Sequence, residues 1–162
     1  MSRQILLCVE TNSKARTDYQ YINETIHRFY VNDPKISYKP IFLESKSMYA
    51  SPKKQKEIGK YIKAYPEDTT VIYFIDLDDY DTNYETKKLF EDIKKYCKTH
   101  AYELVFFCRD VEEVYLGKRE VKRFKSKKMI EAVLPQNLSQ NEYKINGSNI
   151  LNVLDKFWTR KN

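Results

Sequence analysis

The stretch Val71-Ile72-Tyr73-Phe74-Ile75-Asp76-Leu77-Asp78-Asp79-Tyr80-Asp81 decides how the chain is read, because five consecutive apolar residues stop abruptly in aspartates. A short, continuously apolar run reads as a strand buried on both faces, which is the pattern of parallel sheet. Asp76 and Asp78 are two apart, so on an extended chain they point the same way. The strand's C-terminal tip then carries two neighbouring carboxylates. Such a pair repels unless a cation lies between its members, and a buried run that ends this way is costly without one. A divalent-metal site is therefore expected. Asp79 and Asp81 read as helix-capping or loop acids.

Upstream, Ile5 to Val9 is another short apolar run, expected to be a buried strand ending at Glu10. After a polar loop, Thr17 and Asp18 read as helix starters, and Ile22, Ile26, Phe29 and Tyr30 follow at helical spacing until Asp33-Pro34. Ile36 to Leu43 is a second strand, placed at a sheet edge because Pro40 lacks a ladder donor. Ser51 is the N-cap and Pro52 the first residue of a helix through about Ala64. Downstream of the aspartates, Leu89, Ile93, Tyr96 and Cys97 share one helix face. Leu104 to Cys108 is a fourth strand, followed by a short helix over Val111 to Leu116. Leu134 to Asn149 reads as a polar surface loop, and a last amphipathic helix is expected at about 149–158. Strand and helix alternate throughout. The expected fold is α/β, a mostly parallel four-stranded sheet with helices on both faces, in one domain spanning 1–162.

In such a sheet functional residues collect at the C-terminal ends of the strands. Glu10, Asp76 and Asp78, and Glu112 and Glu113 all follow strands, so parallel strands bring them to one edge. An all-oxygen cluster favours Mg²⁺ or Mn²⁺ over zinc, and its natural chemistry is phosphoryl transfer or phosphodiester hydrolysis. Glu112 and Glu113 also suit the N-terminus of the short helix they open.

Charge is localised. The chain has a formal net charge of +6, and seven of its 29 basic residues but only one of its 23 acidic residues lie between Lys118 and Lys128. The rest of the chain is neutral. This is the electrostatic footprint of a polyanion-binding patch, although a solvated lysine-rich face has the same composition. Three cysteines without Cys-x-x-Cys spacing and two histidines exclude a disulfide framework and a soft-ligand metal site. No stretch is long and apolar enough to span a bilayer, so a soluble, cytoplasmic protein is expected. The 14 tyrosines read as packing residues with a polar tip.

Ile5 to Glu10 resembles the first motif of the Toprim domain of topoisomerases, primases and OLD-type nucleases, and Phe74 to Asp78 resembles its second. Arg109 to Leu116 is similar to the acid-aromatic-leucine motif after the fourth strand of RloB-like members associated with bacterial defence. The resemblance covers roughly Ile5 to Leu116. Thr11 stands where the family commonly has glycine, and Arg109-Asp110 where RloB-like members often have Asn-Pro. It implies a Toprim-like fold and a Mg²⁺- or Mn²⁺-dependent nuclease or related phosphotransfer enzyme. It further implies that Glu10 is a metal ligand or general base, that Asp76 and Asp78 are metal ligands and that Glu112 or Glu113 is an accessory ligand. Lys118, Arg119, Lys122 and Arg123 would hold the DNA or RNA backbone. Stand-alone Toprim domains of this size are often encoded beside an ATPase, so a degenerate subunit that binds nucleic acid or an ATPase partner is the alternative.

A haloacid-dehalogenase-type phosphatase is less well matched. Its Asp-x-Asp should follow the first strand, and Tyr80 stands where it needs Thr or Val. Isolated glycines at 59, 117 and 147 exclude P-loop and dinucleotide-binding motifs.

Overall fold

A computed structural model describes residues 1–11, 17–77, 83–107 and 148–162. Four strands, β1 (Arg3–Val9), β2 (Ile36–Phe42), β3 (Asp68–Asp76) and β4 (Glu103–Phe107), form one sheet in the order β2-β1-β3-β4. Every pairing is parallel. The helices are α1 (Thr17–Phe29), α2 (Pro52–Ala64), α3 (Tyr84–His100) and α4 (Ile150–Leu154), with one 3₁₀ turn at Lys46–Met48. This is the α/β architecture expected of the alternating apolar runs, and it is Rossmann-like.

The strand order follows from handedness. From β1 the chain steps outward to β2, then crosses back over β1 to β3 and continues to β4. Right-handed crossovers then put α1 on one face and α2 and α3 on the other. The core divides in that way. Ile5, Leu7, Val9, Ile72 and Phe74 pack with Tyr21, Ile22, Ile26 and Phe29 of α1 and with α4. Their sequence neighbours Leu6, Cys8, Val71, Tyr73 and Ile75 pack with Ile58 of α2 and with Phe90, Ile93 and Cys97 of α3. Because both faces are covered, the central strands are apolar without alternation.

Local chemistry sets the element boundaries. Ser51 Oγ accepts a hydrogen bond from Lys54 N, and Pro52 opens α2, as the Ser-Pro pair predicts. Asn83 caps α3 by accepting from Glu85 N and Thr86 N, and Ala101 ends it in the left-handed region with φ 58°. Pro40 sits opposite Leu7 in β2, an edge strand. At the other edge the Asn149 side chain substitutes for a strand: its Nδ2 donates to Leu104 O and its Oδ1 accepts from Phe106 N, each at 2.9 Å. Together with the Phe107–Ser148 bridge, that satisfies part of the edge ladder of β4.

The C-terminal helix is shorter than its amphipathic pattern predicts. Helical geometry ends at Leu154, and Lys156 N and Phe157 N instead bond to carbonyls three residues back, Val153 O and Leu154 O. The tightened turn carries the chain against the end of α1. There Val31 N donates to Thr159 O, Lys161 N donates to Phe29 O, and Trp158 packs on Tyr30 and Tyr38. Several of the described tyrosines do serve as apolar area with a bonded tip. Buried Tyr73 donates to Tyr49 O at 2.7 Å, and Tyr30 donates to Asp155 Oδ1 at 2.8 Å. Cys108, the short helix at 111–116, the basic segment at 118–128 and the polar loop up to 147 lie outside the described residues.

Candidate metal centre

The chain reverses its direction of travel across the sheet between β1 and β3. In open parallel sheets that switch point leaves a crevice at the strands' C-terminal ends, where ligands bind. Glu10 directly follows β1 and Asp76 is the last residue of β3, and these strands are paired side by side. The two acids meet as expected: Glu10 Oε2 accepts a 2.9 Å hydrogen bond from Asp76 N, which fixes the glutamate across the tip of the neighbouring strand.

A third acid joins them. Asp18, in the first turn of α1 and only 7% exposed, completes a group in which Glu10, Asp18 and Asp76 each offer a carboxylate oxygen within 4.8 Å of the others. Asp18 reads in the sequence only as a helix starter. The available signal was topological, since a helix that follows a parallel strand starts at the edge where that strand ends. An acid in its first turn therefore faces the same edge as Glu10.

The group could hold a metal ion. An octahedral Mg²⁺ about 2.1 Å from its ligands sets neighbouring oxygens about 3.0 Å apart and opposite ones about 4.2 Å apart. At least two of the three pairs must be neighbouring, so oxygens that lie within 4.8 Å of one another close by up to about 2 Å per pair to share one ion, within reach of side-chain rotation. The donor set is all oxygen and suits a hard cation. With all three acids ionised, each pair at such a separation repels by about 3 kcal/mol at an effective dielectric of about 20. Burial of the Cys8 and Cys97 thiols pushes both up, Cys97 to about 12, so in the metal-free protein both are protonated packing groups.

Among the described residues, Lys46 brings a cation to the same edge, a placement with no mark in the sequence. The chain leaves β2 through Glu44, whose φ of 75° lies in the left-handed region that costs a non-glycine residue about 1 kcal/mol. That bend leads into the 3₁₀ turn carrying Lys46. The Lys46 ammonium donates to Asp76 O at 2.8 Å and lies 3.8 Å from Glu10 Oε1. Three adjacent strands, β2, β1 and β3, therefore contribute Lys46, Glu10 and Asp76 side by side.

Of the other residues expected at this edge, Asp78, Glu112 and Glu113 lie outside the described residues, as do Lys118, Arg119, Lys122 and Arg123. A cleft of about 500 Å³ lies at the opposite end of α1, lined by residues including Tyr30, Tyr38 and Trp158. None of the acids borders it, so concavity and the carboxylate cluster select different places. The cluster has the chemistry. Among the described residues no helix is long and apolar enough to cross a membrane. Comparison with protein-family models, curated proteins and solved structures finds no match to this chain.

Proposed function

We propose that this chain is a Mg²⁺- or Mn²⁺-dependent enzyme that cleaves or transfers phosphodiester bonds in nucleic acid, a nuclease of Toprim type. The observation that carries the proposal is the meeting of Glu10, Asp18 and Asp76 within 4.8 Å at the switch point of a parallel sheet. These three residues would hold the ion. Bound there, a divalent ion supplies charge stabilisation at a phosphoryl oxygen and a more acidic water. Lys46 brings positive charge to the same edge, where an anionic backbone needs it. The sequence adds Asp78 two residues beyond Asp76, the Glu112-Glu113 pair after β4, and the basic segment with Lys118, Arg119, Lys122 and Arg123. Together these favour a polyanionic substrate over a small phosphate ester.

The position of Lys46 favours one second reading, a subunit that has lost catalysis and binds nucleic acid or an ATPase partner. An ammonium 3.8 Å from Glu10 can neutralise part of the cluster without any metal. Incubating plasmid DNA and single-stranded RNA with the protein in Mg²⁺, Mn²⁺ or EDTA separates the two. The nuclease reading expects metal-dependent cleavage that falls at least about 100-fold in Asp76→Ala. Activity that survives Asp76→Ala contradicts it. Salt-sensitive binding of nucleic acid with no cleavage by the wild type supports the second reading.

A further inference from the structure

Lys46 differs from the acids around it in how it is held. Its side chain is 25% exposed, against 12% for the Glu10 side chain and 7% for Asp18 as a whole. Glu10 is fixed by the hydrogen bond from Asp76 N, and Asp18 by its place in a buried helical turn. The ammonium stands on a flexible four-carbon stem; it donates to Asp76 O at 2.8 Å, whereas at 3.8 Å from Glu10 Oε1 it is paired with that carboxylate by charge beyond hydrogen-bond length. Moving Lys46 outward breaks its hydrogen bond to Asp76 O but unpacks no apolar side chain of the core.

We propose that Lys46 is the resident cation of this cluster, and that a divalent ion binds in competition with it. The inference rests on the metal reading of Glu10, Asp18 and Asp76 given above. With the three acids ionised, the Lys46 charge offsets part of their mutual repulsion and steadies the metal-free protein. An ion held by the carboxylates, about 2.1 Å from an oxygen of Glu10, then lies within a few ångströms of the ammonium, where like charges repel. Part of the binding free energy goes into that repulsion or into moving the lysine outward. The strand tip therefore sets its own metal affinity through a residue that is not a ligand.

Titration of the full chain with Mn²⁺, followed by calorimetry and by thermal melting, tests this in wild type, Lys46→Met and Lys46→Gln. Either substitution removes the charge while retaining much of the stem. The expected result is a lower melting temperature without metal, Mn²⁺ affinity raised about tenfold or more, and a larger gain in melting temperature at saturating Mn²⁺ than in wild type. A merely structural lysine would lower the metal-free melting temperature and leave affinity unchanged. Unchanged or weaker Mn²⁺ binding in both variants overturns the competition while leaving the metal site standing. No Mn²⁺ binding in wild type or variants overturns both.

Discussion

β1 and β3 run side by side, and their two ends are built on opposite principles. At the N-terminal end, Gln4 is 3% exposed and its amide donates to Tyr61 O and Thr69 Oγ1, each at 3.1 Å. Beside it Arg3 Nη1 donates to Thr70 Oγ1 at 2.8 Å. Donors there meet acceptors. At the C-terminal end, Glu10, Asp18 and Asp76 crowd within 4.8 Å, with the Lys46 ammonium beside Glu10. Polar groups at the first end make the pairing of the strands cheaper, whereas like charges at the second work against it. The same two strands thus carry a structural clasp at one end and a strained electrostatic site at the other.

Substitutions at the two ends should respond in opposite ways. The largest effect is expected for Asp76→Asn, which removes one like charge and a ligand together. The metal-free protein should melt no lower than wild type, while the gain in melting temperature on adding Mn²⁺ should vanish; a gain that persists would break the contrast. Asn149→Ala, which unpairs Leu104 O and Phe106 N at the β4 edge, should cost about 1–3 kcal/mol by chemical denaturation. Its Mn²⁺ response should be unchanged. Gln4→Ala should cost about 1–2 kcal/mol, again with the metal response intact. Loss of that response would mean that the two ends are not independent.

The smallest effect concerns pH. Burial alone would raise the Asp155 carboxyl, but hydrogen bonds from Arg160 and Tyr30 together with the guanidinium charge hold it below the usual carboxylate range. A carboxyl lowered by folding stabilises the protein above its unfolded value, and the contribution is lost as pH falls through the folded one. Asp155→Asn should therefore melt below wild type at pH 6, and the gap should close toward pH 3. A gap that widens on acidification would contradict the sign.

Much of the fold was legible because buried parallel strands leave a simple mark. Ile5 to Val9 and Val71 to Ile75 are apolar at every position, and their short length, β-branched and aromatic content and polar flanks favour a buried strand over a helix. Pro40 fixed the edge strand and Ser51-Pro52 the start of α2, since each acts through its own backbone chemistry. Once the strands were parallel, the meeting of Glu10 and Asp76 followed. Asp18 did not, because an acid in a helix's first turn is commonplace and its neighbours across space are set by the crossover. Lys46 left no periodic trace at all. It reaches the acids because the backbone bends at Glu44, a conformation with no signature in a glutamate. α4 is shorter than its sequence pattern for a related reason, as the apolar spacing continues to Trp158 while the backbone has already tightened to bond with the end of α1.

The central claim is that Glu10, Asp18 and Asp76 share one divalent ion. A crystal structure of the protein soaked in Mn²⁺, with the ion located by its anomalous scattering, tests this directly. The account predicts one strong peak about 2.2 Å from a carboxylate oxygen of each of the three, with the Lys46 ammonium displaced from its 3.8 Å approach to Glu10. Density without a peak there, with Lys46 still between Glu10 and Asp76, would contradict it.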